Sequence, residues 1–177
     1  MAENIITLES LDLLFADFVQ DSLGVSGDKV LISYSEKGQK SSKIDEDVCY
    51  VKTDEVRDQI NIHKQRVKAY DKATNSYIVK QTAMRVIYLH LVFYGPNSSY
   101  LATKINEIMY TTKANEFLYN NNLALIPDKT DFVVTTNEII NSRFWKRSDL
   151  RLYFYNSVII EESNEVIEGL DVKIIIE

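Results

Sequence analysis

The chain is 177 residues long, 45% apolar and 26% charged, with a formal net charge of −6. That is enough chain and enough apolar material for a core of its own, which excludes wholesale disorder. The acidic balance argues against a general basic grip on nucleic acid, and only five glycines leave little for the loops that cradle nucleotides.

The opening stretch, MAENIITLESLDLLFADF, has no basic region of the kind that starts a signal peptide. Leu8, Leu11, Leu14, Phe15, Phe18 and Val19 recur at three- and four-residue steps, with Asp12, Asp17, Gln20 and Asp21 between them. This spacing predicts an amphipathic helix capped by Thr7, favoured by Glu9 at its positive end and stopped at Gly24 or Gly27. Residues 29–35, KVLISYS, read as a short strand, and residues 35–47, polar and rich in serine and lysine, as a flexible surface loop. A second short strand is expected at residues 48–52.

The centre reads as a long hairpin over about residues 60–95, with arms 60–70 and 76–95 around the turn DKATN. In the second arm Arg85, Ile87, Leu89, Leu91 and Phe93 alternate with Val86, Tyr88, His90, Val92 and Tyr94. The first set should pack on helices. The second is apolar but aromatic and is expected to be covered too.

The arm breaks at Gly95-Pro96-Asn97-Ser98-Ser99 and runs into a helical pattern over residues 100–119 that ends at YNNN. A strand that breaks at glycine before a helix can hold phosphate, but this corner lacks the spaced glycines and the lysine such loops use. Gly95 for the sharp turn, Pro96 for a fixed backbone and Asn97 or Ser98 as cap explain each residue structurally. Strands are then expected at DFVVTTNEII and over residues 148–160. A polar link, residues 161–169, precedes a final strand, LDVKIIIE.

Helix, strands, helix, strands without a repeating crossover unit predicts an α+β fold: a mainly antiparallel sheet with two helices packed on one face, in a single domain spanning residues 1–177. No apolar run approaches the roughly 20 residues that span a bilayer, so a soluble protein of a reducing cytoplasm is expected.

Catalytic, cofactor-binding and metal residues are not expected. Cys49 has no basic neighbour in sequence, His63 and His90 sit on separate predicted strands, and no HExxH or paired-cysteine spacing occurs. Basic and aromatic residues interleave only in RFWKR, where Arg143, Trp145 and Arg147 could stack on nucleic acid or anchor a protein interface. The acidic net charge favours the protein interface. Strands apolar on both faces would be a hazard in a lone subunit, and a symmetric oligomer buries them.

The succession HLVFYGPNSSYLATKINEIM, FWKRSDLRLYFYN and GLDVKIIIE resembles the neck or tail terminator proteins of tailed bacteriophages. The matching positions are Phe93, Tyr94, Gly95 and Pro96, then Trp145, Arg147, Leu150 and Leu152, then Asp171 and Val172. The resemblance covers most of the chain, is strongest over about residues 81–177, and leaves the roles of the polar loop and the long hairpin open. It implies a small α+β subunit of a virion ring, usually hexameric, that caps the head-proximal end of the tail tube and joins it to the head connector. It carries over no catalytic residues and no cofactor. The implied partners are copies of the chain, the tube protein and the head–tail connector or adaptor, with the tail sheath as a further candidate. Genomic DNA would pass through the lumen without tight binding, and no membrane is involved. Within this reading Arg143, Trp145 and Arg147 are candidate docking residues. Asp171, Val172, Ile174 and Ile176 of the last strand are candidates for pairing with a neighbouring subunit. The alternatives are another head–tail joining component, a tube-like subunit or, as a rival class, a small enzyme.

Overall fold

The computed structural model describes residues 2–4, 6–33, 43–62, 64–71, 76–127 and 132–165. Two very long strands form its axis. β5 (Ser76–Tyr94) and β8 (Arg143–Glu165) pair antiparallel without a break from Ser76↔Glu165 to Tyr94↔Arg147. At strand rise this ribbon is roughly 60 Å long. The polar link expected after residue 160 is instead strand up to Glu165, because β5 continues opposite it and takes up its backbone groups.

Shorter strands flank the axis. β3 (Val48–Val56) pairs with the second half of β5, and β2 (Val30–Ile32) adds to β3 in parallel. β4 (Lys64–Asp71) pairs with the first half of β5 as the other arm of the hairpin. On the far side β7 (Val134–Ile140), β6 (Leu123–Leu125) and β1 (Ala2–Asn4) line up in turn along β8. The fold is therefore α+β, and among the described residues the sheet has eight strands and is made mixed by one parallel pair.

The register puts Cys49, Val51 and Thr53 of β3 on one face with Ile87, Leu89, Leu91 and Phe93 of β5 and Leu150, Leu152 and Phe154 of β8. This face carries the core, in which every one of these residues is buried. α1 (Leu8–Leu23) lays Leu11, Phe15, Phe18 and Val19 on it, with the Phe15 ring 5.1 Å from that of Phe154. Thr7 caps α1 as expected, accepting the Ser10 N–H at 3.2 Å, and Gly24 at φ 69° ends it in the left-handed region. Asp12, expected on the solvent side, is buried: its carboxylate accepts the Thr53 N–H at 2.6 Å and lies 3.6 Å from Lys52 Nζ. A carboxylate out of water needs such partners, and these tie the helix to β3.

The single helix expected over residues 100–119 is two, α2 (Ser98–Ile108) and α3 (Thr112–Asn120). Thr111 restarts the chain as an N-cap, accepting from the Ala114 N–H. The bend lets Met109, Ala114 and Leu118 all reach the core, which a straight helix of that length would not allow. Three helices thus lie over the core face where two were expected.

The corner is structural. Gly95 has φ 113°, and a Cβ there would meet Asp47 Oδ1 at 2.5 Å and the Glu46 carbonyl oxygen at 2.6 Å. Asn97 does not cap α2 with its side chain. It donates its backbone N–H and its side-chain amide to the two oxygens of Asp47, each at 2.8 Å, and so fastens the corner to the start of β3. Ser98, fully buried, faces Ser148 at 3.2 Å.

The core does not run the length of the axis. Arg85 marks the boundary, bonded to the Ile6 carbonyl, to Asn156 Oδ1 at 2.8 Å and paired with Glu55 at 3.7 Å. Beyond it the axis continues as an arm, β4–β5–β8–β1, in which all seven side chains from Lys64 to Tyr70 are exposed.

Candidate interaction surfaces

The second face of the sheet alternates with the core positions by the two-residue period of a strand. It carries Tyr50 of β3, Tyr88, His90, Val92 and Tyr94 of β5, and Trp145, Arg147, Asp149, Tyr153 and Tyr155 of β8. All are half-buried. Val48 and Val86, on the same face by register, are buried. Coverage was expected here. The short helical turn Gln59–Ile62 meets its Val86 end, where the Val86 N–H donates to Asn61 Oδ1 at 3.2 Å, and the rings lie against each other: Tyr88 on Tyr153 at 5.2 Å, Tyr50 against Tyr94 at 5.8 Å, Tyr94 edge-on to Trp145 at 6.2 Å.

Charges on this face are held in a compact lattice. Arg147 grips Asp149 with two bonds, at 2.7 and 3.0 Å, reaches Glu138 of β7 at 3.1 Å, and sits 5.9 Å over the Tyr94 ring. Tyr94 donates its phenol to Glu138 at 2.7 Å. Burial would raise the Asp149 carboxyl, but the nearby His90 imidazole and the Arg147 guanidinium together hold it down at about 2. Glu138 is lowered by the Tyr94 and Arg147 bonds, and burial with the Glu138 bond pushes the Tyr94 phenol up to about 12. Arg147 is raised, chiefly by Asp149. At neutral pH Arg147 is thus one fixed cation between two fixed anions, Glu138 and Asp149, under a neutral phenol. Cys49 is buried on the core face, which pushes its thiol up and away from reactivity.

The three predicted residues of RFWKR part company. Arg147 is spent on its own subunit, Trp145 is half-buried beside Tyr94, and Arg143 is exposed at the hairpin tip. Asp171, Val172, Ile174 and Ile176 lie outside the described residues, as do His63 and most of the 35–47 loop.

Two exposed residues escaped the sequence reading. Asn141 and Ser142, at φ 51° and 61°, turn β7 tightly into β8. Next to this turn Ile139 and Phe144 stand opposite each other, 66% and 71% exposed. The sequence signal was the Asn-Ser turn between two β-rich runs, which fixes their register and so their common face. Trp145, one residue on, points to the opposite side by the same alternation.

These features define a class: an α+β protein with α-helices on one face of its sheet and a half-buried aromatic surface on the other. Residues 11–177 match the phage neck terminator protein family, and the chain belongs to that family. No curated protein matches it. Among the described residues no helix is long and apolar enough to cross a membrane.

Proposed function

We propose that the protein assembles, as a ring of six subunits in the virion neck, on the head-proximal end of a completed tail tube. There it stops tube growth and presents a new surface to the head connector. The observation that supports this best is the half-buried aromatic sheet face, next to a hairpin that carries Ile139 and Phe144 into solvent. Apolar and aromatic surface of this kind is what subunit contacts bury. A tube grows because each ring repeats the surface of the last. It ends when a ring fits the tube on one side and differs on the other, a heterologous contact that does not repeat.

The work is architectural and needs no catalytic group or cofactor. Part of the subunit contact is assigned to the closing segment, with Asp171, Val172, Ile174 and Ile176 as pairing residues and Arg143 and Trp145 as docking residues. Deleting residues 171–177 is expected to abolish rings in negative-stain images, and a truncated chain that still makes rings contradicts that assignment. The acidic chain lets the genome pass without holding it, since tight binding needs neutralised phosphates. A salt-dependent, micromolar gel shift with duplex DNA at moderate ionic strength would show otherwise.

A further inference from the structure

An exposed strand edge invites pairing with another chain, and proteins blunt such edges with short strands, charges or proline. Most edges here are blunted. β1, β2 and β6 have three residues each, and β4 presents Lys64, Arg66 and Lys68. Past β2, the Thr53 N–H of β3 is taken by the Asp12 carboxylate. β7 is different. Its seven residues, Val-Thr-Thr-Asn-Glu-Ile-Ile, include no lysine, arginine or proline. Its carboxylate, Glu138, is held by Tyr94 and Arg147 of its own sheet, while Val134 and Ile139 are exposed.

The turn at Asn141 and Ser142 fixes which backbone groups of β7 are free. With both residues at positive φ it is a two-residue hairpin loop, so Ile140 and Arg143 exchange backbone bonds and such pairs alternate from there. The N–H and C=O of Thr135, Asn137 and Ile139 then point away from β8. In keeping with this, the carbonyl of Lys146, opposite Asn137, turns away from β7 and accepts the Gly95 N–H at 3.2 Å. Among the described residues nothing pairs with the outer row of β7. We propose that this edge receives residues 171–176 of a second copy as an added strand. This rests on the ring reading above, in which that segment pairs with a neighbour, and names the edge it meets.

Composition and reach choose this occupant. Val172, Ile174, Ile175 and Ile176 are β-branched residues of the kind that suits a strand. The segment cannot reach β7 of its own chain. β7 extends along β8 only as far as Asp149, and from there to Glu165 is roughly 50 Å at strand rise. The link from Glu165 to Asp171 spans at most about 20 Å. A strand from this segment must therefore come from a neighbour. It leaves from one end of the axis and β7 lies at the other, so each copy gives at one end and receives at the other, a head-to-tail contact. Backbone bonds supply the affinity of such an added strand.

The test uses the full-length chain and sedimentation. Asn137→Pro removes one outward N–H and keeps the backbone bonds to β8, a place where an edge strand tolerates proline. It is expected to weaken association at least about tenfold. Asn137→Ala keeps the N–H and should stay within about twofold of the wild type. Thermal melts check that both variants fold. Amide exchange of the wild type gives a readout independent of any variant: the Thr135, Asn137 and Ile139 amides should slow at least about tenfold when rings form. A folded Asn137→Pro chain that associates as the wild type does, or amides that exchange as fast in rings as in single subunits, overturns the β7 contact and leaves the ring standing. Rings that survive deletion of residues 171–177 but not Asn137→Pro overturn the closing segment as the occupant. A wild-type chain that stays single even with tail tubes present overturns the ring reading as well.

Discussion

Asp149 shows how much one position on the open sheet face carries. Its carboxyl is held at about 2 in the folded chain, against about 3.9 when unfolded. A lowered carboxylate gives stability that is complete above the unfolded value and is lost as pH falls toward the folded one. The loss from this residue therefore falls between about pH 4 and pH 2. Asp149→Asn is expected to cost about 1 kcal/mol at neutral pH, the scale of a partly screened pair, and to flatten the stability curve across that acid window. Urea titrations at pH 7, 4 and 2.5 check it; equal slopes for both proteins would remove Asp149 from the account. Arg147 illustrates the limit of reading composition. Arginine beside tryptophan looked like a docking anchor, yet the strand period places both carboxylates, Glu138 and Asp149, within its reach. Only the β7–β8 register reveals that, and register depends on turn geometry as well as pattern.

At the scale of elements, legibility followed local rules. The Thr7 cap, the Gly24 stop and the alternation along β5 were all readable because each depends on neighbours a few residues away. Asp12 was not, because its partner Thr53 is 41 residues on. The end of β8 was not, because a strand of polar residues is strand only while β5 lies opposite. The bend at residues 109–111 was missed although Thr111 is an ordinary capping residue, since the apolar period runs on through it. The β7–β8 hairpin is the element whose exposed pair calls for a partner. Ile139→Ser with Phe144→Ser removes apolar surface from solvent and should leave the melting temperature within a few degrees of the wild type. Binding to isolated tails is expected to fall at least about tenfold, the usual loss when an interface anchor goes. Trp145, the single tryptophan, gives the readout: its emission should shift on tail binding in the wild type and stay still in the double variant. A double variant that binds with wild-type affinity would show that the hairpin tip faces nothing.

At the scale of the whole molecule, the fold is one-sided. Among the described residues the α-helices lie over one face of the sheet for half its length, while the other face and the arm carry rings, edges and charges around the buried Val48, Val79 and Val86. Membership of the neck terminator family and this one-sidedness point the same way, toward a subunit finished by its neighbours. The most direct measurement is tube length. Purified tube protein polymerising on its initiator should stop when this protein is added, with a single ring seen by electron microscopy at one end of each tube and no ring along its sides. Tubes that keep growing at the same rate with the protein present and folded, or that bear it evenly along their length, would contradict the account.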